Sequence, residues 1–119
     1  MTQALAEHPE IDVVITSGDQ MALGAEQAAA QSKTPIRIVS AGAGASALTA
    51  VREGRWFATA STLPYTEGQI VTRLLVHALR VKHAEPIGVD PVAASGLPVW
   101  WTQETLAAYP DFVGEWPGP

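Results

Sequence analysis

Apolar positions along the chain fall into short β-branched runs that alternate with longer stretches of helical period. Ile11–Thr16 (IDVVIT), Ile36–Ser40 (IRIVS) and Trp56–Ser61 (WFATAS) are the runs; each is short and bounded by turn signals, which reads as a strand. The near-continuous apolar character of the first suits a parallel strand covered on both faces. Between the runs, Gln20–Gln31 puts Met21, Ala25, Ala28 and Ala29 on one helical face, small enough for close approach to a sheet, and Ser32–Pro35 breaks it. A further helix runs from Ser46, a candidate cap, to Glu53, with Gly54 where a left-handed C′ residue is expected. The order strand, helix, strand, helix, strand with short loops predicts a parallel sheet with right-handed crossovers. The fold class is therefore α/β: an open sheet of three to four parallel strands with flanking helices, of flavodoxin-like kind.

The two ends add to this core. Met1–His8 forms a short helix stopped by Pro9, which disfavours helical geometry in the residue before it. After Thr62-Leu63-Pro64 a helix from Thr66 to about His83 is predicted, with Thr66 and Gln69 placed for a capping box and Tyr65 and Ile70 for a hydrophobic staple. Ile70, Val71, Leu74, Leu75, Ala78 and Leu79 give it a wide apolar stripe. Glu85–Pro98 is rich in Pro and Gly, with an edge strand expected around Val89–Ala94. Thr102 is placed to cap a short helix, QETLAAY, before Pro110. The chain thus divides into residues 1–62 (core), 63–84 (crossing and helix) and 85–119 (return segment and tail).

Composition narrows the function classes. With 119 residues, 47% hydrophobic and 16% charged, the chain fits one globular domain with a real core. The net charge of −5 argues against a nucleic-acid or anionic-membrane partner, because both reward clustered Lys and Arg. Only Arg80, Lys82 and His83 stand close together. The absence of cysteine removes disulfides and thiolate chemistry. No apolar run reaches the roughly 18–20 residues of a membrane span. MTQALAEHPE has neither a basic nor an apolar signal region, so either the protein is cytoplasmic or Met1 is not its natural start.

Candidate chemistry sits at three corners, each at the carboxyl end of a predicted strand: Ser17–Asp19, Ala41–Ala45 and Thr62–Pro64. That is the edge where open parallel sheets bind ligands. In the first, Gly18 can adopt positive φ, and Ser17 or Asp19 can cap the following helix. Each corner also reads as a plain tight turn. Gly42-Ala43-Gly44-Ala45-Ser46-Ala47 satisfies the G-x-G-x-x-A dinucleotide pattern between strand and helix. The companion acid expected about 20 residues on is missing, since Ser61–Leu63 stands there. His8, His77 and His83 have no metal-ligand spacing. Asp19, as a lone carboxylate, reads as a helix cap before a general base. No catalytic constellation, cofactor or metal site follows from these residues. Trp100-Trp101 can stack on a sugar or base, or belong to core or interface.

HPEIDVVITSGDQMALGAEQAA, followed by IRIVSAGAGASALTAVREGRWFATASTLPYTEGQ, resembles the carboxyl-terminal half of a type I periplasmic sugar-binding protein of the ribose-binding kind. The resemblance spans Met1 to His83, carried by D-x-MALGA, ALTAVREG and the spacing of AT to Pro64. It implies a non-catalytic, periplasmic or extracellular solute-binding component of an ABC-type importer, working with an ABC permease on a sugar or other small polar solute. Ser17, Gly18, Asp19, Gly42, Ala43 and Thr62 would face that solute. Repressors of the lactose type share the fold, so an effector-binding domain of a transcription regulator is the alternative, and a nucleotide-binding enzyme fragment a further one. Three positions depart from the sugar binders: Gly18 where they carry Asn, Gly42 where they carry a sugar-gripping Asp, and Thr62 where they carry a hinge Gln. Losing these hydrogen-bonding side chains implies a smaller or less polar ligand, or none. The resemblance also implies that helix 66–83 packs on an amino-terminal lobe not included here. Otherwise its stripe calls for a homo-oligomer partner.

Overall fold

The computed structural model describes residues 1–33, 35–81 and 87–119. Its sheet is built from β1 (Val13–Ile15), β2 (Arg37–Gly42), β3 (Ala58–Ser61) and β4 (Trp100–Trp101), in that spatial order. The first three strands are parallel, with Val14 paired to Ile38 and Ser40 to Thr59. β4 runs antiparallel to β3, Trp101 opposite Thr59. The fourth strand is therefore neither parallel nor at Val89–Ala94. Pro91–Ser95 is instead a short helix, α5, because Pro91 opens it and the Asp90 carboxylate accepts from the Val92 and Ala93 amides.

Helices α1 (Thr2–Glu7), α2 (Asp19–Ser32), α3 (Ala45–Arg52), α4 (Pro64–Val81) and α6 (Gln103–Ala108) complete the described elements. Ala22 and Ala25 of α2, Leu48 and Val51 of α3, Val14 and Ile38 of the strands, Trp101 and Leu106 all join one apolar cluster. Both crossover helices therefore cover the same sheet face, as two right-handed crossovers advancing in one direction must. The opposite face is uncovered: Val13 and Ile15 are 42% and 78% exposed, and Trp100 is 50% exposed. This corrects the expectation for the first strand. β1 is a sheet edge with only Val14 buried, so its apolar run is not sandwiched.

Helix ends follow backbone geometry more than side-chain caps. α2 starts behind Gly18 with no side-chain cap, so neither Ser17 nor Asp19 caps it. Asp19 turns inward, and with it Ala22, Ala25 and Ala28 at intervals of three; Met21 is left 54% exposed. α3 follows Gly44, not Ser46, and ends at Gly54 with φ 73°, the left-handed residue the sequence predicts. Thr102 caps α6 through a reciprocal pair with Thr105. Trp101 is fully buried, stacked on Phe112 at 4.2 Å between ring centroids and edge-on to Tyr109.

α4 departs from this pattern. It starts at Pro64, two residues before Thr66, and none of its described residues is buried. Ile70, Leu74 and Ala78 are half-covered, while Val71, Leu75 and Leu79 are 61%, 58% and 71% exposed. The radius of gyration, 17.7 Å, exceeds the roughly 13.5 Å of a compact chain of this length. The predicted end of this helix, with Lys82 and His83, lies outside the described residues.

Candidate functional site

Asp19 organises the carboxyl edge of the sheet. As the first residue of α2 it is only 1% exposed, and its carboxylate reaches under the β2–α3 corner. Ser40 Oγ donates to Oδ1 at 2.7 Å, Thr59 Oγ1 approaches the same oxygen at 3.3 Å, and the Gly44 amide donates to Oδ2 at 3.0 Å. Ser40 and Thr59 are themselves 2.9 Å apart, and Thr59 Oγ1 accepts from the Ala43 amide at 3.1 Å. Buried polar groups are tolerated only when bonded in this way. The sequence reading missed Ser40 and Thr59. Their signal was parity: Ser40 shares the inward face with Ile38, two residues earlier.

The same carboxylate dictates Gly42. A Cβ there would lie 2.4 Å from Asp19 Oδ2, and φ is +152°. Ala43 follows with φ 48°, an unusual conformation for a residue with a Cβ. The corner is closed from above by the end of the chain. The Ala45 and Ser46 amides donate to the carbonyls of Trp116 at 2.9 Å and Pro117 at 3.1 Å. Four successive amides, Ala43 to Ser46, thus have partners within the chain. A diphosphate bound at G-x-G-x-x-A requires such donors free, so the dinucleotide reading finds no donor at these amides.

The six candidate ligand residues separate into two layers. Asp19, Gly42 and Ala43 are buried in the network just described. Ser17 and Thr62 are exposed and Gly18 half-buried. Thr62 Oγ1 donates to the Gly42 carbonyl at 2.6 Å, and Trp116 Nε1 donates to the same carbonyl at 2.9 Å. The corners after β2 and β3 are therefore in direct contact, and Asp19 links the corner after β1 to the one after β2. Trp100 and Trp101 lie apart in role: Trp101 is core, its Nε1 donating to Ser61 Oγ at 2.7 Å. Among the described residues, no group of three His, Cys, Asp or Glu side chains is placed to hold a metal ion, and no helix is long and apolar enough to cross a membrane.

The three βα corners of this parallel sheet meet at its carboxyl edge, the edge at which open α/β sheets generally bind ligands. The profile of the periplasmic binding protein domain matches residues 1–83. The chain belongs to that family. Its type I, ribose-binding-like fold follows, and by resemblance so does a periplasmic or extracellular setting. A crystal structure of a protein from Mycobacterium smegmatis shares the fold with a TM-score of 0.58 and 23% identity, over 92% of this chain and 36% of that one. The chain thus spans about a third of that relative's length. No curated protein matches the sequence. The matched segment holds all six candidate residues and the whole of α4, and the tail that closes the corner lies beyond it.

Proposed function

We propose that the chain is the carboxyl-terminal lobe of a non-catalytic solute-binding protein serving an ABC-type importer. The solute is small and polar, carbohydrate-like in its hydroxyls. It sits at the edge formed by Ser17, Gly18 and Thr62, with Asp19, Gly42 and Ala43 shaping the corners from behind. What supports this reading most is the meeting of the three corners at one edge, through the Thr62 bond to Gly42 and the Asp19 bond to Gly44. Few side-chain donors face outward there, so this lobe alone grips weakly, and the remaining contacts come from a second lobe. In the two-lobed protein, closure of the lobes around solute presents the surface a permease reads. The stripe of α4 packs on that second lobe, or in its absence on a second copy of the chain.

The test is an amide chemical-shift titration of the chain with pentoses, hexoses and polyols at millimolar concentration, where affinities of this order correspond to about −4 kcal/mol. Saturable shifts at the Ser17, Gly18 and Thr62 amides with at least one solute are expected. Shifts with none, or only on the uncovered sheet face, overturn the assignment of the edge.

A further inference from the structure

The last residues of the chain make contacts that neither the core nor the proposed solute edge requires. Residues 114–118 descend onto the β2–α3 corner so closely that two glycines are needed on the tail and one below it. A Cβ on Gly114 would meet the Ala43 carbonyl at 2.5 Å. One on Gly44 would meet Gly118 Cα at 2.7 Å, and one on Gly118 would meet Ser46 Oγ at 2.1 Å. The approach is anchored upstream, where Arg52 donates to the Phe112 carbonyl. Trp116 then donates to the Gly42 carbonyl, the acceptor that Thr62 of the hinge also uses. Between these contacts, Glu115 reaches the first turn of α4. Its carboxylate accepts from the Thr66 amide at 2.9 Å and from the Thr66 hydroxyl.

The tail therefore touches both the corner after β2 and the start of the helix after β3. Among the described residues, the other side-chain hydrogen bond of this first turn stays within the hinge itself, where Glu67 accepts from the Leu63 amide at 3.4 Å. No described residue of α4 is buried, and the described element it packs on most is the short helix α5 and not the sheet, so apolar packing on the sheet does little to fix the angle at which the helix leaves it. We infer that residues 114–118 are a strap that sets this angle, with Glu115 as the positioning residue that ties the β3–α4 hinge to the β2–α3 corner. The inference does not depend on any ligand. It concerns the hinge geometry of the chain itself, and a failed solute titration leaves it intact.

The absence of cysteine makes a direct measurement simple. Spin labels on Gln27→Cys, exposed on α2, and Arg80→Cys, exposed near the end of α4, report the distance between sheet layer and helix. Arg80 lies about 24 Å along the helix from Pro64 at 1.5 Å per residue, so a swing of about 20° displaces it by about 8 Å. The intact strap should give one narrow distance distribution. Glu115→Ala should broaden it or shift it by several ångströms, with far-UV circular dichroism unchanged. Glu115→Gln, which keeps one acceptor oxygen, should restore part of the narrowing. Should Glu115→Ala unfold the chain, Thr66→Val carries the test, because it removes only the hydroxyl half of the contact. Distributions identical to the parent in the folded variants overturn the strap.

Discussion

The corner around Asp19 and the helix α4 are opposite solutions to placing polar and apolar groups in a small chain. At the corner Asp19 is 1% exposed and every backbone amide from Ala43 to Ser46 is partnered. Along α4 an apolar stripe stands in water, with Leu79 at 71% exposure. The first region is held by residues of this chain, which satisfy its carboxylate and its amides and leave, among the described residues, only the buried Ser46 hydroxyl unpartnered. The second leaves apolar surface exposed, although burying each Leu or Val would contribute about 1.5–3 kcal/mol and patches of that extent generally meet another surface. The difference separates a region whose contacts lie within this chain from one that leaves apolar surface in water.

The largest effect should come from breaking the corner. Asp19→Ala leaves the Gly44 amide without an acceptor and removes the partner of two buried hydroxyls. Each such group costs about 1–3 kcal/mol when stranded, so a loss of roughly 3–5 kcal/mol is expected. Thermal melting should show it as a fall of more than about 10 °C. Gly42→Ala strains the same place from the other side, forcing a Cβ against the carboxylate, and should fall in the same range. If either variant melts within a few degrees of the parent, Asp19 is not the organising residue.

A paired truncation sharpens the contrast between regions. Leu48 in α3 is fully buried, and Leu48→Ala should cost about 2–5 kcal/mol. Leu75→Ala on α4 removes the same atoms from a 58% exposed site and should change the stability of a monomer by no more than about 0.5 kcal/mol. Leu75→Lys with Leu79→Lys should likewise leave a monomer folded. If copies associate through this stripe, light scattering should move from a higher mass towards the 12.5 kDa of one chain. Equal costs for Leu48→Ala and Leu75→Ala would mean that α4 is covered in solution.

What the sequence made legible follows this division. The βαβαβ order, the Gly54 terminus, the Thr102 cap and the stripe of α4 are local patterns, set by residues within a turn or two of one another. Local pattern misplaces helix starts where the group that satisfies them comes from far along the chain: the sequence offers Ser46 as the cap of α3, yet Trp116 and Pro117 supply the acceptors. The sequence offers Thr66 as the cap of α4, yet its partner is Glu115, 49 residues away. The rotation of α2, with Ala22 inward and Met21 outward, depends on Asp19 finding Ser40 and Thr59 across the sheet. No periodicity within the helix encodes that. The edge itself was visible as three corners after three strands. The split between its buried and exposed residues was not, because it depends on that same long-range network.

The smallest effect belongs to a contact that looks strong. Arg55 donates to Glu26 at 2.7 Å and to Glu53 at 2.8 Å, linking α2 to the chain entering β3. The hydrogen bond to Glu26, then that to Glu53, raise the Arg55 pKa above its ordinary value. A cation with a raised folded-state pKa contributes stability below its unfolded pKa and loses it only as pH rises through the folded one. That window lies beyond the alkaline end of ordinary buffers, so this pair should give no pH dependence of stability near neutrality. The Arg55 side chain is 43% exposed, and solvent and salt screen such pairs to about 0–1 kcal/mol. Arg55→Gln should therefore lower the melting temperature only slightly, and less at high salt. Trp56 Nε1, which donates to the other Glu26 oxygen at 2.9 Å, keeps that carboxylate in place without the arginine. Glu26→Ala should accordingly cost more than Arg55→Gln, since it also strands the indole of a tryptophan that is only 3% exposed. Equal losses for the two variants, measured by chemical denaturation, would mean that the ion pair and not the indole bond holds α2 to β3.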